Sequence, residues 1–117
     1  MNEILEKTLL YDFYGELLTA HQKNIYEQYI LEDLSLSEIA ANQGVSRQGV
    51  HDLVRRCEKI LEDYENKLQL VEKFLSIKNN VSEIEELFAC YDKGEGLSVE
   101  ELTMNVRKLS KEILEQL

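Results

Sequence analysis

Apolar residues in this chain recur three and four positions apart along most of its length, with charged residues between them. That spacing is the mark of amphipathic helices. It predicts helices over 2–17, 20–32, 36–43, 47–77, 82–92 and 99–116. Four of the starts carry a capping-box pattern, in which a Ser or Thr and a Glu or Gln three residues later satisfy each other's backbone N–H groups. The pairs are Thr19 with Gln22, Ser35 with Glu38, Ser82 with Glu85 and Ser98 with Glu101. Proline, the strongest helix breaker, is absent. Leu, Glu, Lys and Gln are abundant, and all favour helix. The expected fold class is all-α.

The fourth predicted helix is long for so small a chain. Val50, Cys57, Tyr64 and Val71 recur every seven residues, as do Leu53, Ile60 and Phe74, where Lys67 interrupts the row. Val54, Leu61, Leu68 and Leu75 form a third row beside them. At ~1.5 Å per residue the helix would run ~45 Å with a broad apolar stripe. Two arrangements would cover it. Helices 82–92 and 99–116 fold back onto it, or a second subunit packs there as well. The stripe is wider than a strict coiled-coil seam. The expected organisation is a helix-turn-helix unit over 1–60 and a C-terminal helical arm over 61–117, continuous with the recognition helix.

Residues 35–56, SLSEIAANQGVSRQGVHDLVRR, carry the most specific signal. Leu36, Ile39 and Ala40 give the first helix an inward face. Gly44 suits a helix end, Val45 reads as an apolar plug in the turn, and Ser46 is a natural N-cap. Helix, tight glycine turn and helix make a helix-turn-helix, with helix 20–32 as third member through Ile25, Tyr29 and Ile30. With Val50, Leu53, Val54 and Cys57 inward, Arg47, His51 and Arg55 fall on the outer face. Gln48 and Asp52 lie beside them, and Arg56 and Lys59 flank further along. Residues near the start of a recognition helix meet base edges, and more distal basic residues meet phosphate. Arg47 suits a guanine edge and Gln48 an adenine edge. The expected nucleic-acid-binding residues are Ser46, Arg47, Gln48, His51, Asp52, Arg55, Arg56 and Lys59.

The formal charge of −10 has the wrong sign for a phosphate-binding protein, so its distribution matters. In residues 35–59, Arg47, Arg55, Arg56 and Lys59 stand against Glu38, Asp52 and Glu58, a net +1. Residues 1–34 hold two lysines against seven acids, net −5, and residues 60–117 hold seven cations against thirteen acids, net −6. The motif is the one net-positive region. Acidic flanks weaken long-range attraction to DNA without forbidding a local footprint. Three-helix units of this shape also serve as protein-interaction modules, and the acidic helices suit a basic partner.

Other chemistries find little support. His21 and His51 have no nucleophile arranged beside them, and neither G-x-x-x-x-G-K nor G-x-G-x-x-G occurs. No enzyme activity and no cofactor are expected. From Asp92, the positions where a calcium loop needs oxygen ligands hold Gly94, Gly96 and Thr103. That segment reads as a glycine turn, and no metal is expected. Cys57 and Cys90 form no C-x-x-C and fit a reducing compartment. Cys57 reads as a buried small hydrophobe, and the tyrosines as core rather than a base-stacking platform. There is no signal-peptide pattern and no apolar run approaching ~18 residues. The expected localisation is the cytoplasm, with no membrane span.

Residues 18–61, through their Ser-x-x-Glu-Ile-Ala and Gly-Val-Ser-Arg elements, resemble the fourth conserved region of bacterial sigma factors. That resemblance implies promoter contact by the second helix of the motif, at Arg47, Gln48, His51 and Asp52. His51 and Asp52 depart from the basic or amide residues expected there. The stretch LLYDFYGELLTAHQKNIYEQYILEDLSLSEIAANQGVSRQGVHDLVRRCEKILEDYENKL, with the acidic helices after it, is similar to the YlxM-like family of small bacterial helix-turn-helix proteins. The similarity covers almost the whole chain. It implies a DNA-binding regulator linked, through gene neighbourhood, to the signal recognition particle pathway, hence an RNA or protein partner in protein targeting. A homodimer is expected. The alternative is a non-enzymatic adaptor whose acidic helices bind a basic signal recognition particle component or its RNA.

Overall fold

The computed structural model describes residues 3–117, and every described regular element is helical. Helix α1 spans Glu3–Tyr14, followed by a 3-10 turn at Gly15–Leu17; α2 spans Ala20–Ile30, α3 Leu36–Gln43, α4 Arg47–Leu68, α5 Leu70–Asp92 and α6 Val99–Gln116. Residue 2, where the first helix was expected to begin, lies outside the described residues. The chain forms two compact units, the first ending at Val71 and the second spanning Glu72–Leu117.

In the first unit, α4 is the central element and packs against α1, α2 and α3. Its Val50, Val54, Cys57 and Leu61 are all buried. They lie four, three and four residues apart, so one stripe faces inward. Ile25 and Tyr26 of α2, and Ile39 and Ala40 of α3, close over it. Tyr11 and Tyr14 of α1 are buried too. The Tyr11 and Tyr26 rings lie 5.8 Å apart, and Tyr14 stacks on Tyr64 at 6.0 Å. The two buried phenols of α1 keep polar partners: Tyr11 donates to the Glu27 carboxylate and Tyr14 to that of Glu65 at 2.6 Å. Burial of each large apolar side chain supplies roughly 1.5–3 kcal/mol, so this cluster dominates the unit.

Helix starts follow local chemistry at three of the four expected boxes. Thr19 and Ser35 form complete capping boxes with Gln22 and Glu38, and the Ser98 hydroxyl accepts the Glu101 N–H at 3.1 Å. The fourth does not start a helix. Ser82 lies inside α5, and the helix expected over 47–77 ends instead at Leu68. Gln69 takes a left-handed conformation, φ 55°, and α5 restarts at Leu70. The cause lies partly outside the helix. The Tyr14 hydroxyl accepts the Leu70 N–H at 3.1 Å, and the Glu65 carboxylate accepts the Val71 N–H at 3.0 Å. These donors would otherwise need carbonyls of the preceding turn. A buried tyrosine from α1 thus caps α5 and allows the break.

Within the second unit, Gly94 and Gly96 turn the chain between α5 and α6 with φ of 70° and 85°. No helix among the described residues is long and apolar enough to cross a membrane.

Candidate nucleic-acid interface

The expected helix-turn-helix is α3, the Gly44 turn and α4. Gly44 adopts φ 67°, a conformation that a Cβ would strain, and its N–H reaches the Ala40 carbonyl. The Val45 N–H reaches the same carbonyl at 3.1 Å, closing a Schellman-type end. The Val45 side chain is not the plug read from the sequence: it is 48% exposed. The turn is held by its backbone, with Ile39 and Ala40 supplying the apolar contact. Tyr26, 1% exposed, fills the core position on α2 where Tyr29 was expected.

Ser46 caps α4, its hydroxyl accepting the Gly49 N–H at 3.0 Å. Of the expected contact residues it therefore serves the start of the helix directly. Gln48, Asp52, Arg55, Arg56 and Lys59 are exposed away from the buried stripe, while Arg47 and the half-buried His51 flank it. Arg47, Arg55 and Arg56 are exposed, and no ion pair engages them among the described residues. Lys59 stands 3.6 Å from Asp63, both side chains mostly in solvent. Such a pair contributes little, ~0–1 kcal/mol, and exchanges readily for phosphate. Arg55, Arg56 and Lys59 share a shallow groove with Glu58 and Glu62.

Two of the expected residues engage one another. Gln48 donates its side-chain amide to Asp52 at 2.9 Å. His51 Nδ1 stands 3.5 Å from the same carboxylate, longer than a hydrogen bond of normal strength. Asp52 thereby holds the Gln48 amide, while His51 Nδ1 is buried without a hydrogen-bond partner among the described residues. This leaves the arginines at the two ends as the outward donors, an arrangement suited to phosphate more than to dense base reading.

One contributor was not visible from the motif. Lys7 of α1 reaches across to Glu58 of α4 at 3.5 Å. Burial lowers the affinity of Lys7 for its proton, but the Glu58 carboxylate and its neighbours outweigh this and hold it above the ordinary lysine range. Lys7 thereby offsets one of the three acids of the motif region. Its position on a separate helix gave no spacing signal.

The sequence model of the family described as "Putative helix-turn-helix protein, YlxM / p13 like", UPF0122, matches residues 1–102. This chain belongs to the UPF0122 family. The UPF0122 protein of Desulforamulus reducens is 46% identical over 95 residues, covering 81% of each chain. That of Shouchella clausii is 48% identical over 90 residues, covering 74% of this chain and 83% of the relative. That of Caldanaerobacter subterraneus subsp. tengcongensis is 48% identical over 85 residues, 73% of each. The UPF0122 match takes in α1 to α5 and the start of α6, so the helix-turn-helix and its buried support both fall within it.

Proposed function

We propose that this UPF0122 protein is a non-enzymatic, cytoplasmic DNA-binding regulatory protein that works as a homodimer and serves the signal recognition particle pathway. The observation that carries the reading is the outer face of α4. Arg47, Arg55 and Arg56 stand exposed without ion pairs among the described residues, on a helix held in place by its buried Val50, Val54, Cys57 and Leu61. A rigid basic helix entering a groove needs such an arrangement. Arg47 lies at the N-terminal end, where base edges are met. Arg55, Arg56 and Lys59 engage phosphates further along, while Gln48, His51 and Asp52 face the groove between them. The link to protein targeting is taken from the family resemblance. In the dimer, two α4 helices would enter successive major grooves, about 34–36 Å apart.

The test is fluorescence anisotropy with random duplex DNA and with signal recognition particle RNA, from low salt to physiological salt. The variant carrying Arg47→Ala, Arg55→Ala and Arg56→Ala is measured alongside. Binding by the natural chain should fall with salt. The variant should bind more weakly, and its log–log salt slope should be shallower by roughly 2–3, at ~0.9 for each phosphate no longer neutralised. Preference for the RNA would move the reading from DNA to the targeting particle. Absence of binding to either at low salt would refute it, and would leave the acidic helices as the surface for a protein partner.

A further inference from the structure

The second unit is thinly packed. Across Glu72–Leu117 the buried residues are Asn80, Leu102 and Leu109. A helical pair of this size lies below the ~70–80 residues at which one core suffices, and oligomerisation is a common remedy. The apolar surface it leaves open is ordered. Val81, Phe88 and Tyr91 are exposed and Ile77 and Ile84 half-buried beside them, and the five follow one another at spacings of four, three, four and three. That is the strict seam of a two-stranded coiled coil, with Val81 and Phe88 in one row and Ile77, Ile84 and Tyr91 in the other. Val81 is 46% exposed and Phe88 43%. Phe88 also lines a groove with Leu102 and Val106 of α6.

The charges beside the seam say what fits it. Before Val81 the α5 part of this unit carries Lys73 and Lys78 against Glu72; after Val81 it carries Glu83, Glu85, Glu86 and Asp92. A partner helix running parallel would set like charges together. An antiparallel copy of the same helix sets the basic half of each against the acidic half of the other. In the register that places Val81 opposite Ile84 of the second copy, Ile77 falls opposite Phe88, and Lys78 lies beside Glu85. One register thus satisfies both the apolar and the charged rows, as a self-complementary two-fold interface requires.

We propose that α5 pairs antiparallel with α5 of a second copy through Val81, Ile84, Phe88 and their neighbours, giving a dimer of helical pairs. This deepens the homodimer reading and rests on it, while being independent of nucleic-acid binding. The test is sedimentation velocity of the full chain at tens of micromolar, without nucleic acid. The natural chain should sediment as a dimer, and Val81→Glu as a folded monomer with unchanged helical circular dichroism. Lys78→Glu and Glu85→Lys should each weaken the dimer, since each sets two like-charged pairs across the interface. Mixing those two variants should restore it, because the mixed dimer has two complementary pairs. A monomeric natural chain would overturn both the dimer and the seam. A dimer that survives Val81→Glu would overturn the seam alone, and failure of the mixture to recover would overturn the antiparallel register.

Discussion

The break between α4 and α5 depends on a single phenol oxygen, and Tyr14→Phe isolates it. The ring is 1% exposed and keeps its volume in the variant, so no cavity forms. Two hydrogen bonds vanish: the one donated to Glu65 at 2.6 Å and the one accepted from the Leu70 N–H at 3.1 Å. A bond to a charged group is worth ~1.5–3 kcal/mol and a neutral one ~0.5–1.5 kcal/mol. The Leu70 residue is 43% exposed, so water can reach the freed amide and recover part of the second amount. The expected loss is about 2 kcal/mol, or roughly 10 °C in melting temperature for a unit of this size. Thermal unfolding followed by circular dichroism reads it. Glu65→Gln keeps an acceptor for the Val71 N–H and should cost about half as much. In a Glu65→Ala background, Tyr14→Phe should cost clearly less than it does alone, since the two groups act as one capping unit. A loss below ~0.5 kcal/mol, or full additivity with Glu65→Ala, would refute the assignment of the break to this pair.

Gly15→Ala should destabilise by ~1–3 kcal/mol in chemical denaturation, because its Cβ would lie 2.7 Å from a ring carbon of Tyr11, which is buried against Tyr26 and has nowhere to go; an unchanged midpoint would contradict this. Gln69→Gly should be neutral to stabilising, by up to ~1 kcal/mol, since φ 55° penalises a side chain more than glycine costs in the unfolded chain. A loss above ~1 kcal/mol would count against it. Burial pushes the Cys57 thiol from 9.0 up to about 11, so a thiol reagent at pH 8 should modify Cys57 only as fast as the protein unfolds; rapid labelling of the native chain that Cys57→Ser abolishes would overturn that. Burial likewise raises Tyr26 above its ordinary 10.0, so both groups are neutral when folded but ionise more readily when unfolded. The stability they hold is complete below pH 9 and declines as pH rises through 9–11 and beyond, which an alkaline titration of the helical signal would show and a flat profile to pH 11 would contradict.

What could be read from residue order is what local chemistry decides. The capping pairs at Thr19 and Ser35 close within three residues, so they needed no other part of the chain. The inward stripe of Val50, Val54, Cys57 and Leu61 was legible because helical geometry alone puts those spacings on one face. The same geometry put Arg55 and Arg56 outward, and Arg47 is exposed as the first residue of the helix, so much of the candidate interface was written in the motif. Its internal contacts were less so. That Gln48 bonds Asp52 depends on rotamers, and that Lys7 offsets Glu58 depends on α1 crossing α4.

The end of α4 shows the division most clearly. Residues 47–77 contain no proline, and their apolar rows continue through Val71 and Leu75, so residue order alone predicts an unbroken helix. Ser82 and Glu85 likewise have a capping pattern that nothing local forbids. Where a helix stops depends on which groups take up its exposed N–H and C=O atoms. At Gln69 those groups are the Tyr14 hydroxyl, 56 residues earlier than the Leu70 amide it accepts from, and the Glu65 carboxylate it orients. Propensity differences of a few tenths of a kcal/mol per residue are small beside two half-buried hydrogen bonds, one of them to a carboxylate. The all-α class, the helix-turn-helix and its basic face therefore follow from the amino-acid order. The break in the long helix was decided by packing, because only the folded chain brings a tyrosine of the first helix to the end of the fourth.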